Sequence, residues 1–154
     1  MSVPMPNGPA DELMTRVEFH YNIADKARYL ARLLQKVLDR DMTALVVCPA
    51  DQLLALDQRL WSDDPGSFLP HCRMDASPLT RASTAIWLAD SVPGTHDRQV
   101  LINWGTLLPQ GPGPVRRWLE LVGTDPADAQ AGRQRWRDYQ ARGFSIEPHD
   151  RGGR

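Results

Sequence analysis

A three-layer α/β/α fold, with a mostly parallel sheet of about five strands covered on both faces, is predicted by three features of this 154-residue chain. Continuous apolar runs such as Ala44-Leu45-Val46-Val47-Cys48 have the composition of strands buried on both sides. Apolar stripes at helical spacing accompany them, as in Ala27, Leu30, Ala31, Leu34 and Leu38. The two patterns alternate, and a strand that returns parallel to its predecessor needs a crossover of this kind. The architecture is Rossmann-like, and the length suits one domain with a self-sufficient core.

Residues 1–14 mix Pro, Gly and Asn without periodicity and read as a flexible leader, so a single domain is expected over 15–146. Val17 and Phe19 alternate with polar neighbours as a first strand, and Asp25 stands where a helix cap is needed before the Ala27 stripe. After the Ala44–Cys48 strand, Pro49 and Asp51 open a second helix through Leu53, Leu54, Leu56 and Leu60 to Trp61. A turn at Asp63-Asp64-Pro65-Gly66 leads to Ser67-Phe68-Leu69-Pro70-His71 and then to a polar loop. Ala85-Ile86-Trp87-Leu88, Val100-Leu101-Ile102-Asn103 and Trp118 to Val122 are three further strands, the last of them closing the sheet. Pro126 sits at a helix start, where its missing N–H costs nothing, and 147–154 are expected to fray.

Several function classes are disfavoured. A net charge of −1 and a pI near 6.4 lack the basic surplus of a protein that neutralises many phosphates. The two cysteines, Cys48 and Cys72, form no C-x-x-C pair, which argues against a disulfide scaffold or zinc site and for a reducing compartment. Cys72 and its neighbour His71 would point to opposite faces of an extended segment, so they do not form a thiolate pair. His20, His71, His96 and His149 are widely scattered, and no metal site is expected. No apolar run is long enough for a membrane helix, and the first residues lack the charged-then-apolar order of a signal peptide. The first strand-to-helix turn, His20-Tyr21-Asn22-Ile23-Ala24-Asp25, has no glycine to let a pyrophosphate approach, so a dinucleotide site is not expected. Gly111-Pro112-Gly113-Pro114 reads as a turn, because its prolines remove the N–H donors that a phosphate loop requires. No cofactor is expected.

The segment that suggests binding is 133–144. At 3.6 residues per turn Arg133, Trp136, Arg137 and Gln140 share one helix face, with Tyr139 beside it, and Gly143 can take the left-handed turn that ends the helix. Phe144 then folds back beside the last turn, within range of Trp136 and Arg137. Arg133, Arg135, Arg137 and Arg142 stand against Asp138 alone, a local cationic patch suited to an anionic, partly apolar ligand. Trp136 can equally be core packing, and both readings stay open at this point.

Leu56-Asp57, Leu60-Trp61 and Ser67-Phe68-Leu69-Pro70-His71, together with Arg133-x-Arg135-aromatic-basic-x-Tyr139 and the closing Gly143-Phe144, resemble the chi subunit family of bacterial DNA polymerase III. The order of βα units is similar across about 15–146. The resemblance implies a non-catalytic accessory subunit of the clamp-loader assembly, cytoplasmic in a bacterium, that reaches DNA only indirectly. Its implied partner is the acidic C-terminal tail of single-stranded-DNA-binding protein, bound by Val122, Arg133, Trp136, Arg137, Gly143 and Phe144. Trp61 and Phe68 match a surface that faces the psi subunit or a helicase; from composition alone they are also candidates for helix-to-sheet core. Ala129 replaces a base found in some family members, and Trp136 stands where Tyr is familiar. Two other classes compete: a direct nucleic-acid binder that uses the terminal arginines, and an enzyme of nucleotide chemistry.

Overall fold

The computed structural model describes residues 16–62, 69–109 and 111–152. Strand β1 (Arg16–Ile23) buries Val17, Phe19 and Ile23, and Asp25 caps helix α1 (Lys26–Asp39) by accepting the Arg28 N–H at 3.1 Å. Strand β2 (Ala44–Val47) is buried at every position, and helix α2 (Ala50–Ser62) follows it. Then come β3 (His71–Arg73), the short helix α3 (Pro78–Ala82), β4 (Ile86–Ala89), β5 (Val100–Asn103) and β6 (Arg117–Gly123). Helix α4 (Pro126–Ala141) and strand β7 (Ser145–Asp150) complete the fold.

The seven strands lie in the order β3-β4-β2-β5-β6-β1-β7, and every ladder between neighbours is parallel. Alternation along the strands divides the core in two. Ala44 and Val46, with Ile86, Leu88, Ile102 and Leu121, meet Leu30 and Leu34 of α1 and Leu56 and Leu60 of α2. Leu45 and Val47, with Phe19, Leu101, Trp118 and Val122, pack on the other side with Tyr139 of α4 and with Leu108 and Val115. The result is the expected three-layer α/β/α arrangement.

Among the described residues the sheet has seven strands rather than about five. One missed strand is β3, whose His71 is buried, inside a stretch expected to pass into polar loop; that loop also contains α3, capped by Ser77. The other is β7. Residues Glu147 to Asp150, expected to fray, pair in register with Glu18 to Tyr21, so β6 is not the last strand. The leader 1–14, the turn at 63–66 and Phe68 lie outside the described residues.

Candidate functional site: a pocket between helix α4 and the sheet

Helix α4 is tied to β6 at both ends. Asp125 caps it by accepting the Asp128 N–H at 3.2 Å, and Pro126 occupies the first turn. The Asp128 carboxylate accepts the Gly123 N–H at 2.7 Å and pairs with Lys26 at 2.9 Å. At the far end Gly143 adopts φ +92, its N–H bonds to the Gln140 carbonyl at 3.0 Å, and the Phe144 N–H bonds to the Tyr139 carbonyl at 3.0 Å. This double bond pattern, with a left-handed residue between, is a Schellman stop. In the middle, Gly132 lets the helix settle onto the sheet: a Cβ there would lie 2.7 Å from both γ carbons of Val122.

Beside this close approach is a pocket of about 400 Å³. Val122 and Gly132 form its floor, Phe19 and Tyr21 of β1 line one side, and Trp136 and Arg133 stand on the helix side. The Trp136 ring is half-buried, 5.0 Å from the Phe19 ring and 6.4 Å edge-on from Tyr21. It therefore belongs both to the core and to the pocket wall, which joins the two readings its sequence position left open. Arg133 is exposed, donates to Gln130 Oε1 at 3.3 Å and has no ion pair among the described residues. An apolar, aromatic recess thus lies next to an available guanidinium.

The structure brings Val122, Arg133 and Trp136 together and leaves the other expected residues apart. Arg137 is exposed outside the pocket lining. Phe144 lies at the opposite end of the helix, and its ring neighbours are Trp118 at 5.0 Å and Tyr139 at 6.2 Å rather than Trp136. Gly143 acts through the helix stop that places Phe144. Phe19, Tyr21 and Gly132 were missed as site residues. The alternation in β1 placed Phe19 on a strand without showing which helix would cover it, and the signal for Gly132 was available, since a glycine inside a helix needs a packing reason.

Of the four arginines in the cationic patch expected over 133–142, Arg133, Arg137 and Arg142 are exposed and Arg135 is buried. Arg135 is 2% exposed and points inward, its Nε 2.7 Å from Glu120 Oε1. Glu120 is fully buried and also accepts from Trp118 Nε1 at 2.7 Å, Tyr139 Oη at 3.0 Å and Asn103 Nδ2 at 3.0 Å. Burial pushes its carboxyl up, while Arg135 and the neutral donors favour the ionised form. Arg142 is spent on the loop before β6, donating to the carbonyls of Leu108 at 2.8 Å and Pro109 at 2.9 Å, and pairs with Asp138 at 2.9 Å. Arg142 is exposed but engaged, which leaves Arg133 and Arg137 as the exposed arginines of this stretch with no ion pair among the described residues.

A second recess, at the carboxyl ends of the strands, is where an α/β sheet would hold a nucleotide. Here Lys26 bonds to the Trp104 carbonyl and to Asp128, and lies 4.3 Å from the centre of the Trp104 ring. A carboxylate on the Gly123 N–H takes the kind of donor that a phosphate would need. Cys48 is fully buried, and burial pushes its thiol up to about 12, which disfavours the thiolate.

A family model described as DNA polymerase III chi subunit, HolC, matches residues 14–147, a span that takes in β1 to α4 and the start of β7. The chain belongs to this family. A protein named DNA polymerase III subunit chi from Pseudomonas aeruginosa is 33% identical over 144 residues, covering 88% of this chain and 96% of the relative. One of the same name from Haemophilus influenzae is 26% identical over 110 residues, covering 70% of this chain and 75% of the relative. Membership of the chi family makes the chain a polymerase III subunit of the accessory, non-catalytic kind that its motifs imply.

The chi-family surface expected to face psi is represented by Trp61, which is 47% exposed and therefore not helix-to-sheet core. Its ring stacks on His71 at 4.0 Å, and His71 is fixed by the Leu69 carbonyl at 2.6 Å and the Asp57 carboxylate at 3.1 Å. Leu54, two turns earlier on α2, is also exposed. Among the described residues no helix is long and apolar enough to cross a membrane.

Proposed function

We propose that the chain is a chi subunit that links the clamp-loader assembly of DNA polymerase III to single-stranded-DNA-binding protein, by holding that protein's acidic C-terminal tail in the α4 pocket. The observation that supports this most directly is the pairing of an aromatic recess with an exposed arginine, Arg133, that has no ion pair among the described residues. A tail that ends in Phe would put its ring against Val122, Phe19 and Trp136, and its carboxylates would meet Arg133. Arg137, one turn away, adds long-range attraction; Gly143 and Phe144 hold the end of α4. The exposed Trp61 and Leu54 offer the face for psi or a helicase, to which the family resemblance also assigns Phe68. The setting is the bacterial cytoplasm, DNA is engaged through the partner, and no cofactor takes part.

The test is calorimetric titration with an acidic, Phe-ending peptide at low and moderate salt. Arg133→Glu should keep the melting temperature and weaken binding by about tenfold or more, since a charge-assisted contact is replaced by repulsion. Trp136→Ala should also weaken binding, with less salt dependence, because an apolar wall is lost rather than a charge. Equal affinity for wild type and both folded variants would show that the pocket is not the tail site.

A further inference from the structure

The face of the sheet opposite the α4 pocket carries another recess, of about 600 Å³, between α1 and the strands β1, β6 and β7. One wall is a row of cations spaced four residues apart, Arg32 and Lys36 of α1 and Arg40 at its C-cap. At the rise of an α-helix that is about 6 Å between neighbours and about 12 Å from end to end. All three are exposed and have no ion pair among the described residues. Across the recess stand Arg117 of β6 and Arg151 just beyond β7. Arg151 Nε donates to Tyr29 Oη at 3.0 Å, and Tyr29 in turn bonds to His20.

One carboxylate lines this recess among the described residues, that of Glu18. Burial pushes its carboxyl up, but hydrogen bonds from His20 and Arg117 outweigh this and hold it down at about 2. Arg117 already grips both of its oxygens, at 2.8 and 3.0 Å. Glu18, His20 and His149 offer ligand atoms within 4.8 Å of one another, so a divalent cation has to be weighed against an anion. Charge decides: the five cationic side chains Arg32, Lys36, Arg40, Arg117 and Arg151 surround the cluster, and a dication would enter against all of them. An anion gains from each.

A single phosphate spans only part of this row. A polymer with repeating charge matches a repeating set of cations, and the half-buried Tyr29 ring gives an aromatic surface against which a base could stack. We propose that this cleft binds the phosphate backbone of a single-stranded nucleic acid, so that the protein touches the strand directly as well as through its partner. The inference does not rest on the tail pocket, which lies on the other face of β1.

The test measures binding of a labelled oligothymidine of roughly 10 nucleotides by fluorescence anisotropy over a salt series. Engagement of about four cations predicts a slope near −3 in log affinity against log salt, from about −0.7 per contact. The double variant Arg32→Glu/Arg40→Glu should keep its melting temperature, bind at least about tenfold more weakly at low salt and flatten the slope by about 1.4. Arg133→Glu should leave oligonucleotide binding unchanged, which separates this site from the tail pocket. Three results would overturn the proposal: no binding at low salt, binding that both variants leave untouched, or an acidic peptide rather than the oligonucleotide responding to Arg32→Glu/Arg40→Glu. Zinc titration adds a further arm, and tight zinc binding lost in His149→Ala would overturn it in favour of the cation.

Discussion

Gly132 sets the distance between α4 and β6, because any side chain there meets Val122 at 2.7 Å. Gly132→Ala should therefore destabilise the fold by about 1–3 kcal/mol, the usual cost of forcing a methyl group into a packed contact, despite the better helix propensity of alanine. The clash has a named partner, so adding Val122→Ala should recover much of the loss. Thermal melts of the single and double variants measure this, and a Gly132→Ala protein as stable as wild type would mean that the helix moves away freely. At this scale the sequence was only partly legible. Trp136 and Arg133 announced themselves by type and spacing, whereas the role of Gly132 depends on a valine ten positions away on another element. Arg135 looked like surface charge, and the exposed Arg142 like an uncommitted one, for the same reason. Their partners, Glu120 and the Leu108 and Pro109 carbonyls, are distant in sequence and near only after folding.

Element α4 shows which local signals carry information. Its start at Pro126 and its stop at Gly143 could be read because caps are chemistry between near neighbours. What the helix covers could not be read: Glu120, an acid flanked by apolar residues in β6, is the centre of a buried network of Arg135, Tyr139, Trp118 and Asn103. Removing one member of a buried ion pair typically costs about 3–5 kcal/mol, so Arg135→Met should be strongly destabilising at neutral pH. The sign of its pH dependence follows from the carboxylate left behind. Without Arg135 the folded-state pKa of Glu120 rises further above the ordinary 4.5, and an acid with a raised pKa loses stability as pH rises through that range. The deficit of Arg135→Met relative to wild type should shrink between pH 7 and pH 5; a constant deficit would show that Glu120 stays ionised on the neutral donors alone. Strand β7 was invisible for a different reason. Ser-Ile-Glu-Pro-His-Asp sets Ser145, Glu147 and His149 on one face against Ile146, Pro148 and Asp150 on the other; a single core-packing aliphatic and a proline suit an edge strand with one neighbour and hide it from a search for apolar runs.

For the molecule as a whole, the parallel sheet was legible because buried strands and amphipathic helices must alternate to close it, while the distribution of charge was not. A net charge of −1 suggests a protein indifferent to polyanions, yet folding gathers Arg32 and Lys36 from α1, Arg40 from its C-cap, Arg117 from β6 and Arg151 from just beyond β7 into one cleft. That cleft and the α4 pocket lie on opposite faces of β1, since Phe19 and Tyr21 line one and Glu18 and His20 the other. With side chains on both faces of one sheet between them, the two ligands would sit on the order of 15 Å apart. Both ligands are anionic and repel, but at physiological ionic strength the Debye length is about 8 Å, so little of that repulsion survives. At about 0.01 M salt the screening length grows to about 30 Å and the repulsion should be felt. Tail-peptide affinity measured with saturating short oligonucleotide should thus fall a few-fold at low salt and match the oligonucleotide-free value at physiological salt. By linkage, oligonucleotide affinity must change by the same factor when the peptide is saturating. Mutual exclusion of the two ligands at physiological salt would mean that they share one site, and the separation of binding faces by the sheet would then fail.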